Sequence, residues 1–262
     1  AEGAIEGLVN GETAGFKTTG SQTVVGDSSN TYELVWNGSA KQKNYTIVDK
    51  LGTLEVTHAT ATVTVKGNTR TKGYSGKEES VEGYAFISVD NPLYTEADVN
   101  FSGAAVAKGT DVDTYHMRLN ASQFSNTNPN FANVTFVVED GSIVIDPATL
   151  TVTTPSASRV YNGQPLTAAG TIEGFVNGET AGFKTTGSQT VVGTSDNTYA
   201  IDWEAEGATA KESNYTIVEN IGKLTVTEFA GEIVATPSSY KGVYDGNPHG
   251  VEVAVIGLPE GY

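Results

Sequence analysis

The sequence contains no cysteine, and this absence removes several kinds of chemistry at once. Disulfides, thiolate metal sites, cysteine nucleophiles and thioester adhesion chemistry are all excluded. Because small exported domains often depend on disulfides, two classes of protein remain. The chain is either a cytosolic protein without cysteine or a Gram-positive surface protein exported without disulfides, and composition alone leaves both open.

Positive charge is scarce as well. The chain has 15 Lys and Arg against 31 Asp and Glu, which gives a formal net charge of −16. A phosphate backbone would be repelled, so we expect no nucleic-acid partner. The sequence also has no apolar run of the roughly 18 residues that a membrane helix needs, and no signal peptide opens it. We therefore expect no membrane insertion.

Sustained helical periodicity is missing too, and the best helical candidate is a single turn near residues 121–124. Short alternations of Val, Ile, Thr and Tyr recur instead, separated by Gly, Asn, Asp and Pro at intervals of roughly 8–12 residues. This rhythm predicts an all-β fold. Small immunoglobulin-like β-sandwich modules and helix-poor β-grasp-like modules fit it equally well.

The chain repeats itself. Residues 5–26 return as residues 172–193 with one change, Leu8 to Phe175. Three weaker markers recur in the same order at a spacing of about 85 residues, which indicates a tandem array. They are Tyr-x-Gly at Tyr74, Tyr161 and Tyr244, Gly followed five residues later by Thr-Tyr at Gly26, Gly109 and Gly193, and Asn followed by an aromatic residue at Asn44, Asn130 and Asn214. The Tyr-x-Gly marker is typical of a tight turn just after a strand.

The markers divide the chain into four repeats. Residues 1–3 align with residues 168–170, so the first repeat, 1–57, lacks its N-terminal part. The second repeat, 58–146, is complete but divergent; the third, 147–228, is complete; and the fourth, 229–262, is only begun. We expect the chain to be a piece of a longer array of repeats, or an array whose incomplete terminal repeats are completed by another molecule or segment. The junctions between repeats are short and β-branched, which predicts an extended, stiff rod.

Several ordered motifs resemble a known family. Tyr244-Asp245-Gly246 is followed by Asn-Pro, and Gly-Leu-Val-Asn-Gly-Glu-Thr at 7–13, Gly-Ser-Gln-Thr-Val-Val-Gly at 20–26 and Asn-Tyr-Thr-Ile-Val at 44–48 follow in order. Together they are similar to the MBG/YDG-type repeats of large cell-wall-anchored adhesins of gut and oral bacteria. The resemblance implies an extracellular location at the bacterial cell wall and a role as a stalk or adhesive repeat. It carries over no catalytic residue.

The second repeat departs most from this pattern. Its turn is Tyr74-Ser75-Gly76, and Asn100 stands where the first and third repeats have Lys17 and Lys184.

No constellation of residues indicates catalysis. His58, His116 and His249 occupy non-equivalent positions without metal-ligand spacing or a triad pattern. The glycine-rich segments lack the order of a phosphate-binding loop. We therefore predict no catalytic, cofactor-binding or metal-binding residues, no cofactor and no enzymatic activity.

Two recurrent groups are candidates for stabilising chemistry. The acidic segments 26–30, 109–113 and 193–197 offer oxygen ligands for Ca²⁺, although Asp, Asn and Ser also dominate ordinary hairpin turns. A Lys–Asn isopeptide bond beside a carboxyl group is the second hypothesis. Its candidates are Lys17 and Lys184, Asn44 and Asn214, and Glu12 and Glu179. Near-identical repeats also repeat their ordinary surface residues, which is the alternative.

Trp36 and Trp203 occupy equivalent positions. They fit an aromatic platform for a sugar or, alternatively, ordinary core packing.

The sequence therefore favours a structural spacer that holds an adhesive tip away from the cell wall. The alternative is that the repeats themselves bind a host glycan or protein. The fourth repeat carries the Tyr-x-Gly strands that the first repeat lacks, and an unpaired strand edge is a template for another chain. We therefore predict head-to-tail self-association as a further partner interaction.

Overall fold

The protein is nearly all β, as predicted, in a computed structural model that describes residues 3–258. Within this range helical structure is confined to short 3-10 turns. These are Val9–Gly11, Gln42–Asn44, Glu96–Asp98, Ala121–Gln123 and Glu212–Asn214. The turn predicted near residues 121–124 is confirmed, and the Oδ1 of Asn120 caps it by accepting the Ser122 N–H at 3.1 Å.

Short strands make up the rest of the ordered structure. The first repeat contains β1 (Gly15–Thr18), β2 (Gly26–Ser29), β3 (Tyr32–Val35) and β4 (Thr53–Val56). The second contains β5 (Thr62–Gly67), β6 (Thr69–Gly73), β7 (Glu79–Glu82), β8 (Tyr84–Val89), β9 (Val99–Phe101), β10 (Val106–Gly109), β11 (Thr114–His116), β12 (Phe124–Asn126), β13 (Thr135–Glu139) and β14 (Ser142–Asp146). The third contains β15 (Ala148–Thr154), β16 (Ala157–Val160), β17 (Thr171–Glu173), β18 (Gly182–Thr185), β19 (Gly193–Asp196), β20 (Tyr199–Asp202), β21 (Tyr215–Ile221) and β22 (Lys223–Thr227). The fourth contains β23 (Val234–Pro237) and β24 (Val253–Ile256).

The strands are gathered into two compact units. The first unit comprises the described part of Ala1–Thr69 together with Val81–Ala107 and His116–Ser142. The second comprises Arg70–Ser80, Lys108–Tyr115 and the described part of Ile143–Tyr262.

The core of the first unit lies on the sheet ordered β13–β5–β8. Strand β5 is central, parallel to β13 and antiparallel to β8. Its Val63 and Val65 are fully buried because alternate residues of a strand face the same side. They pack with buried aromatic rings, which are Tyr94, Phe124 and Phe131.

The second unit repeats this arrangement in the sheet ordered β17–β15–β21. Strand β15 is central, antiparallel to β17 and parallel to β21. Its alternation of Thr with Leu150 and Val152 turns both apolar side chains into the core, where they are fully buried. A second sheet, β16–β22–β19, and the hairpin β18–β20 complete the third repeat. In both units the central strand thus pairs parallel with a strand that lies far along the chain.

Candidate functional site

The Tyr-x-Gly motif of the second repeat forms the tight turn that the sequence predicts. It follows β6, and the Tyr74 N–H donates to the Asp146 carbonyl oxygen at 2.7 Å. The turn closes at Gly76, whose φ is 69°. The Tyr74 side chain is only 7% exposed. This ring packs with Ile145 of its own repeat and with Leu150 and Tyr215 of the third repeat, all within the second compact unit.

A Val-Asn-Gly-Glu segment of the third repeat receives this turn. Asn177 adopts φ 52° and its Nδ2 donates to the Gly76 carbonyl oxygen at 3.0 Å. A Cβ atom on residue 76 would lie 2.7 Å from the Asn177 Cβ, which is closer than real side chains approach. The motif therefore needs glycine for two reasons, its positive φ and the close approach of the partner segment.

Glu179 is the centre of the contact. Its two carboxylate oxygens accept hydrogen bonds from the hydroxyl groups of Tyr74, at 2.5 Å, and Tyr215, at 2.7 Å. The Tyr215 oxygen in turn accepts the Val176 N–H at 3.2 Å. The two tyrosine rings meet edge to face with centroids 5.5 Å apart. Burial and the bond to Glu179 raise the pKa of Tyr74 to about 12 and also raise the pKa of Tyr215, so both phenols stay protonated donors.

A second set of bonds joins the same two repeats. Asn214 is fully buried, its Oδ1 accepts the Val112 N–H at 2.8 Å and its Nδ2 donates to Asp111 at 2.8 Å. Lys211 lies 2.6 Å from the other oxygen of Asp111. The bonds from Lys211 and Asn214 lower the pKa of Asp111, and Asp111 raises the pKa of Lys211. Since this ion pair is largely exposed, the buried Asn214 carries more of the specificity.

Half of this arrangement recurs in the first repeat. The Tyr45 hydroxyl donates to Glu12 at 2.6 Å and accepts the Val9 N–H at 3.2 Å, as Tyr215 does with Glu179 and Val176. Asn10 adopts φ 54°, close to the value of its counterpart Asn177. The first repeat thus carries the same preformed segment that receives a Tyr-x-Gly turn in the third.

The asparagine bond also recurs between the first and second repeats. Asn130, the counterpart of Asn214, accepts the Val25 N–H through its Oδ1 at 2.9 Å within the first unit. The Asn-aromatic marker is therefore a hydrogen-bonding position that faces the preceding repeat at both places.

The acidic segments are not equivalent loops, contrary to the sequence interpretation. Residues 26–29 and 193–196 are the strands β2 and β19, with Gly26 paired to Val56 and Gly193 to Val226. In the second repeat, Ile145 corresponds to Val56 and Val226. Its N–H donates to the carbonyl oxygen of Asp113, and not to Gly109. The marker of Gly followed by Thr-Tyr placed Gly109 at this position, but Gly109 ends β10 and lies four residues before Asp113. Neither a shared hairpin turn nor a shared cation loop exists at this place.

In the third repeat, two candidates for the isopeptide bond have other hydrogen-bond partners. Asn214 is engaged by Val112 and Asp111, and Glu179 by the two tyrosines. Lys184 lies at an exposed position of β18. The structure therefore gives the cross-link hypothesis no support.

Each tryptophan packs against the tyrosine that donates its hydroxyl to the glutamate of the same repeat. Trp203 stacks on Tyr215 at 6.2 Å, and Trp36 stacks on Tyr45 at 5.9 Å. Trp203 borders the core cluster around Leu150, and it also lines a surface cleft of about 500 Å³. Trp203 therefore both packs against the core and forms part of the cleft surface.

The histidines lie apart from this site. His116 is 3.6 Å from Asp140, while His249 bonds Asp245 at 2.9 Å and stacks on Tyr240. His58 is exposed. Over residues 3–258 no three or more His, Asp or Glu side chains form a group that could hold a metal ion. No helix in that range is long and apolar enough to cross a membrane.

Comparison with known proteins identifies one part of the chain. Residues 150–225 match the family model of the MBG domain, YGX type. The resemblance predicted from the motifs is therefore confirmed for the third repeat. The match indicates a repeat of extracellular surface proteins, and MBG repeats are not an enzyme family. No match was found among curated proteins or among solved structures.

The sequence singled out some residues of the junction but not their partners, and it missed Asn177 and Lys211 altogether. Tyr74 and Asn214 belong to the periodic markers and Glu179 to the isopeptide candidates, yet the contacts join positions about 100 residues apart. Only the order of the motifs in successive repeats hinted at it, since each motif recurs once per repeat.

Proposed function

We propose that this chain is a length of stalk in a bacterial cell-surface adhesin, which holds a binding tip away from the cell wall. The observation that carries the proposal is the docking of the Tyr74–Gly76 turn onto Asn177 and Glu179. A spacer needs successive repeats that resist bending, and a buried, hydrogen-bonded junction supplies this resistance. A flexible linker would not.

The chemistry of the junction supports a mechanical role. Hydrogen bonds to a carboxylate are stronger than neutral ones, with net values of about 1.5–3 kcal/mol each. Glu179 receives two of them while Asn214 provides two more from a fully buried position. In repeat arrays the stability of each unit adds to that of its interfaces, so such a junction makes neighbouring repeats unfold together.

Small-angle X-ray scattering of the full chain tests the proposal, using Gly76→Ala and the control Gly246→Ala. Both glycines have positive φ, 69° and 81°, but a Cβ at residue 246 meets nothing within 4 Å. We expect an elongated particle that becomes more flexible only in Gly76→Ala. A compact particle, or an equal response to both substitutions, would contradict the stalk.

A second candidate function is recognition of a host glycan, and one observation favours it. The first and third repeats each have a cleft lined by a tryptophan and by a tyrosine whose hydroxyl donates a hydrogen bond to an acidic side chain. These are Trp36 and Trp203, and the pairs Tyr32–Asp49 and Tyr199–Glu219. Aromatic faces and carboxylates are the groups that bind sugar rings and hydroxyls.

Glycan-array screening of the full chain tests this second function. A specific hit that weakens in both Asp49→Ala and Glu219→Ala would support it, because these acids are equivalent and lie at the cleft surface. Retention of the signal in the double variant would place the glycan elsewhere and count against this cleft.

A further inference from the structure

The cleft of the third repeat combines apolar walls with negative charge. It measures about 500 Å³, which lies within the range of small-ligand sites. Trp203, Tyr199 and Ile217 are half-buried and form part of its wall, whereas Glu212 and Glu219 are exposed at its surface. None of the described residues that line it is basic. The cleft therefore offers a ligand both apolar contact area and carboxylates.

The two glutamates of the cleft have no cation of their own. Neither forms an ion pair within residues 3–258. The neighbouring lysines are engaged elsewhere, because Lys211 pairs with Asp111 at 2.6 Å and Lys223 pairs with Asp196 at 2.7 Å. The negative charge of the glutamates is thus available to a ligand.

Tyr199 holds one of these carboxylates in place. Its hydroxyl donates a hydrogen bond to the Oε1 of Glu219. Burial and this bond raise the pKa of Tyr199 to about 12, so the phenol stays a protonated donor. A carboxylate has about four acceptor sites, so Glu219 can bind a ligand and Tyr199 at the same time.

The charge of this cleft is particular to the third repeat. In the first repeat, Gln42 stands at the position of Glu212. In the second repeat, the pairing of β13 with β5 places Val138 where the pairing of β21 with β15 places Glu219. Each glutamate is therefore uncharged in another repeat, which means that packing of the fold does not require either charge.

We propose that this cleft binds a glycan that carries a free amino group. The sugar ring lies against Trp203 and Tyr199, and Glu212 and Glu219 bind the ammonium group. A carboxylate bonds a neutral hydroxyl and an ammonium group alike, but only the ammonium group adds the attraction of opposite charges. Aromatic faces attract a cation as well. The inference rests on the second candidate function, glycan recognition, and names the class of sugar for the third repeat.

A fluorescence titration with two oligosaccharides of the same backbone tests the proposal. The ligands are a short β-linked oligomer of glucosamine and its fully N-acetylated form, whose nitrogen is neutral. Trp36→Phe is the background, so that Trp203 alone reports binding. At low salt we expect the amino form to bind at least about tenfold more tightly, because charge attraction is then least screened. This advantage should disappear as the pH rises and the amine loses its proton. Equal affinity of the two forms, or an advantage that persists when the amine is neutral, overturns the proposal.

Single charge removals locate the site. Glu212→Gln introduces the residue of the first repeat, and Glu219→Gln keeps an oxygen for the Tyr199 hydroxyl. The control Glu82→Gln removes the same charge from an exposed position of β7, outside the cleft. We expect each cleft variant to bind the amino form at least about fivefold more weakly, and the control to change its affinity less than about twofold. Equal weakening in all three variants would mean that the net charge of −16 attracts the amine without a site, which overturns the proposal.

This inference and the proposed functions fail separately. A neutral glycan that binds in the array through Glu219, without any preference for the amine in the titration, would leave glycan recognition standing and overturn only the amino-sugar inference. Absence of any glycan signal that depends on Asp49 or Glu219 would instead refute the glycan function itself. The scattering comparison of Gly76→Ala tests the stalk without involving this cleft.

Discussion

Removal of one hydroxyl from the junction, by Tyr74→Phe, is the most direct measure of its strength. The ring keeps its edge-to-face contact with Tyr215, so the substitution isolates the 2.5 Å bond to Glu179. A hydrogen bond to a charged group contributes about 1.5–3 kcal/mol. Tyr74 is only 7% exposed, so water cannot fully replace the lost donor. We therefore expect the free energy of unfolding of the third repeat to fall by about 2 kcal/mol, roughly a thirtyfold change in the equilibrium constant.

Urea unfolding followed by Trp203 fluorescence measures this loss, because Trp203 stacks on Tyr215. Trp36→Phe serves as the common background, so that a single tryptophan reports. The control is Tyr45→Phe, which removes a tyrosine–glutamate bond within the first repeat, the counterpart of the Tyr215 bond to Glu179, and leaves the junction intact. A Tyr74→Phe midpoint equal to that of the parent would refute the reasoning. It would mean that the Glu179 bond to Tyr215 alone holds the junction.

Three further outcomes follow from the same contacts. Asn214→Ala should lower the free energy of unfolding in urea by about 1–3 kcal/mol, because the part-buried Val112 N–H loses its acceptor. An unchanged midpoint would contradict this. Leu150→Ala should lower the free energy of unfolding by about 2–5 kcal/mol in the same assay. A loss below about 1 kcal/mol, as for an exposed residue, would show that β15 is not the central strand. The pKa of Tyr74 is raised from 10.0 to about 12, so the folded state holds this proton more tightly than the unfolded state. Its contribution is therefore complete below pH 10 and is lost between pH 10 and about pH 12. The free energy of unfolding, measured in urea, should decline less steeply with pH over that range in Tyr74→Phe than in the parent chain. Equal slopes would show that Tyr74 does not contribute to this pH dependence.

The sequence predicted local structure well where a local cause sufficed. The alternation around Leu150 and Val152 indicates a buried strand because side chains of a strand alternate in direction. The Tyr-x-Gly turn and the 3-10 turn at residues 121–123 likewise follow from nearby residues alone. The placement of the acidic segments failed for the opposite reason. Whether residues 26–29 form a loop or a strand depends on β4, which begins more than 20 residues later.

The sequence by itself determined the all-β class, the tandem repetition and the MBG resemblance, since composition, period and motif order are properties of the chain alone. Only the tertiary structure decided which motifs meet. Tyr74 reaches Glu179, and Asn214 reaches Val112, across about 100 residues of chain. No periodicity contains that information, because a repeated motif marks its position in every repeat equally. The pairing is selected by packing, which places the turn of one repeat against the Val-Asn-Gly-Glu segment of the next and buries the bonds between them.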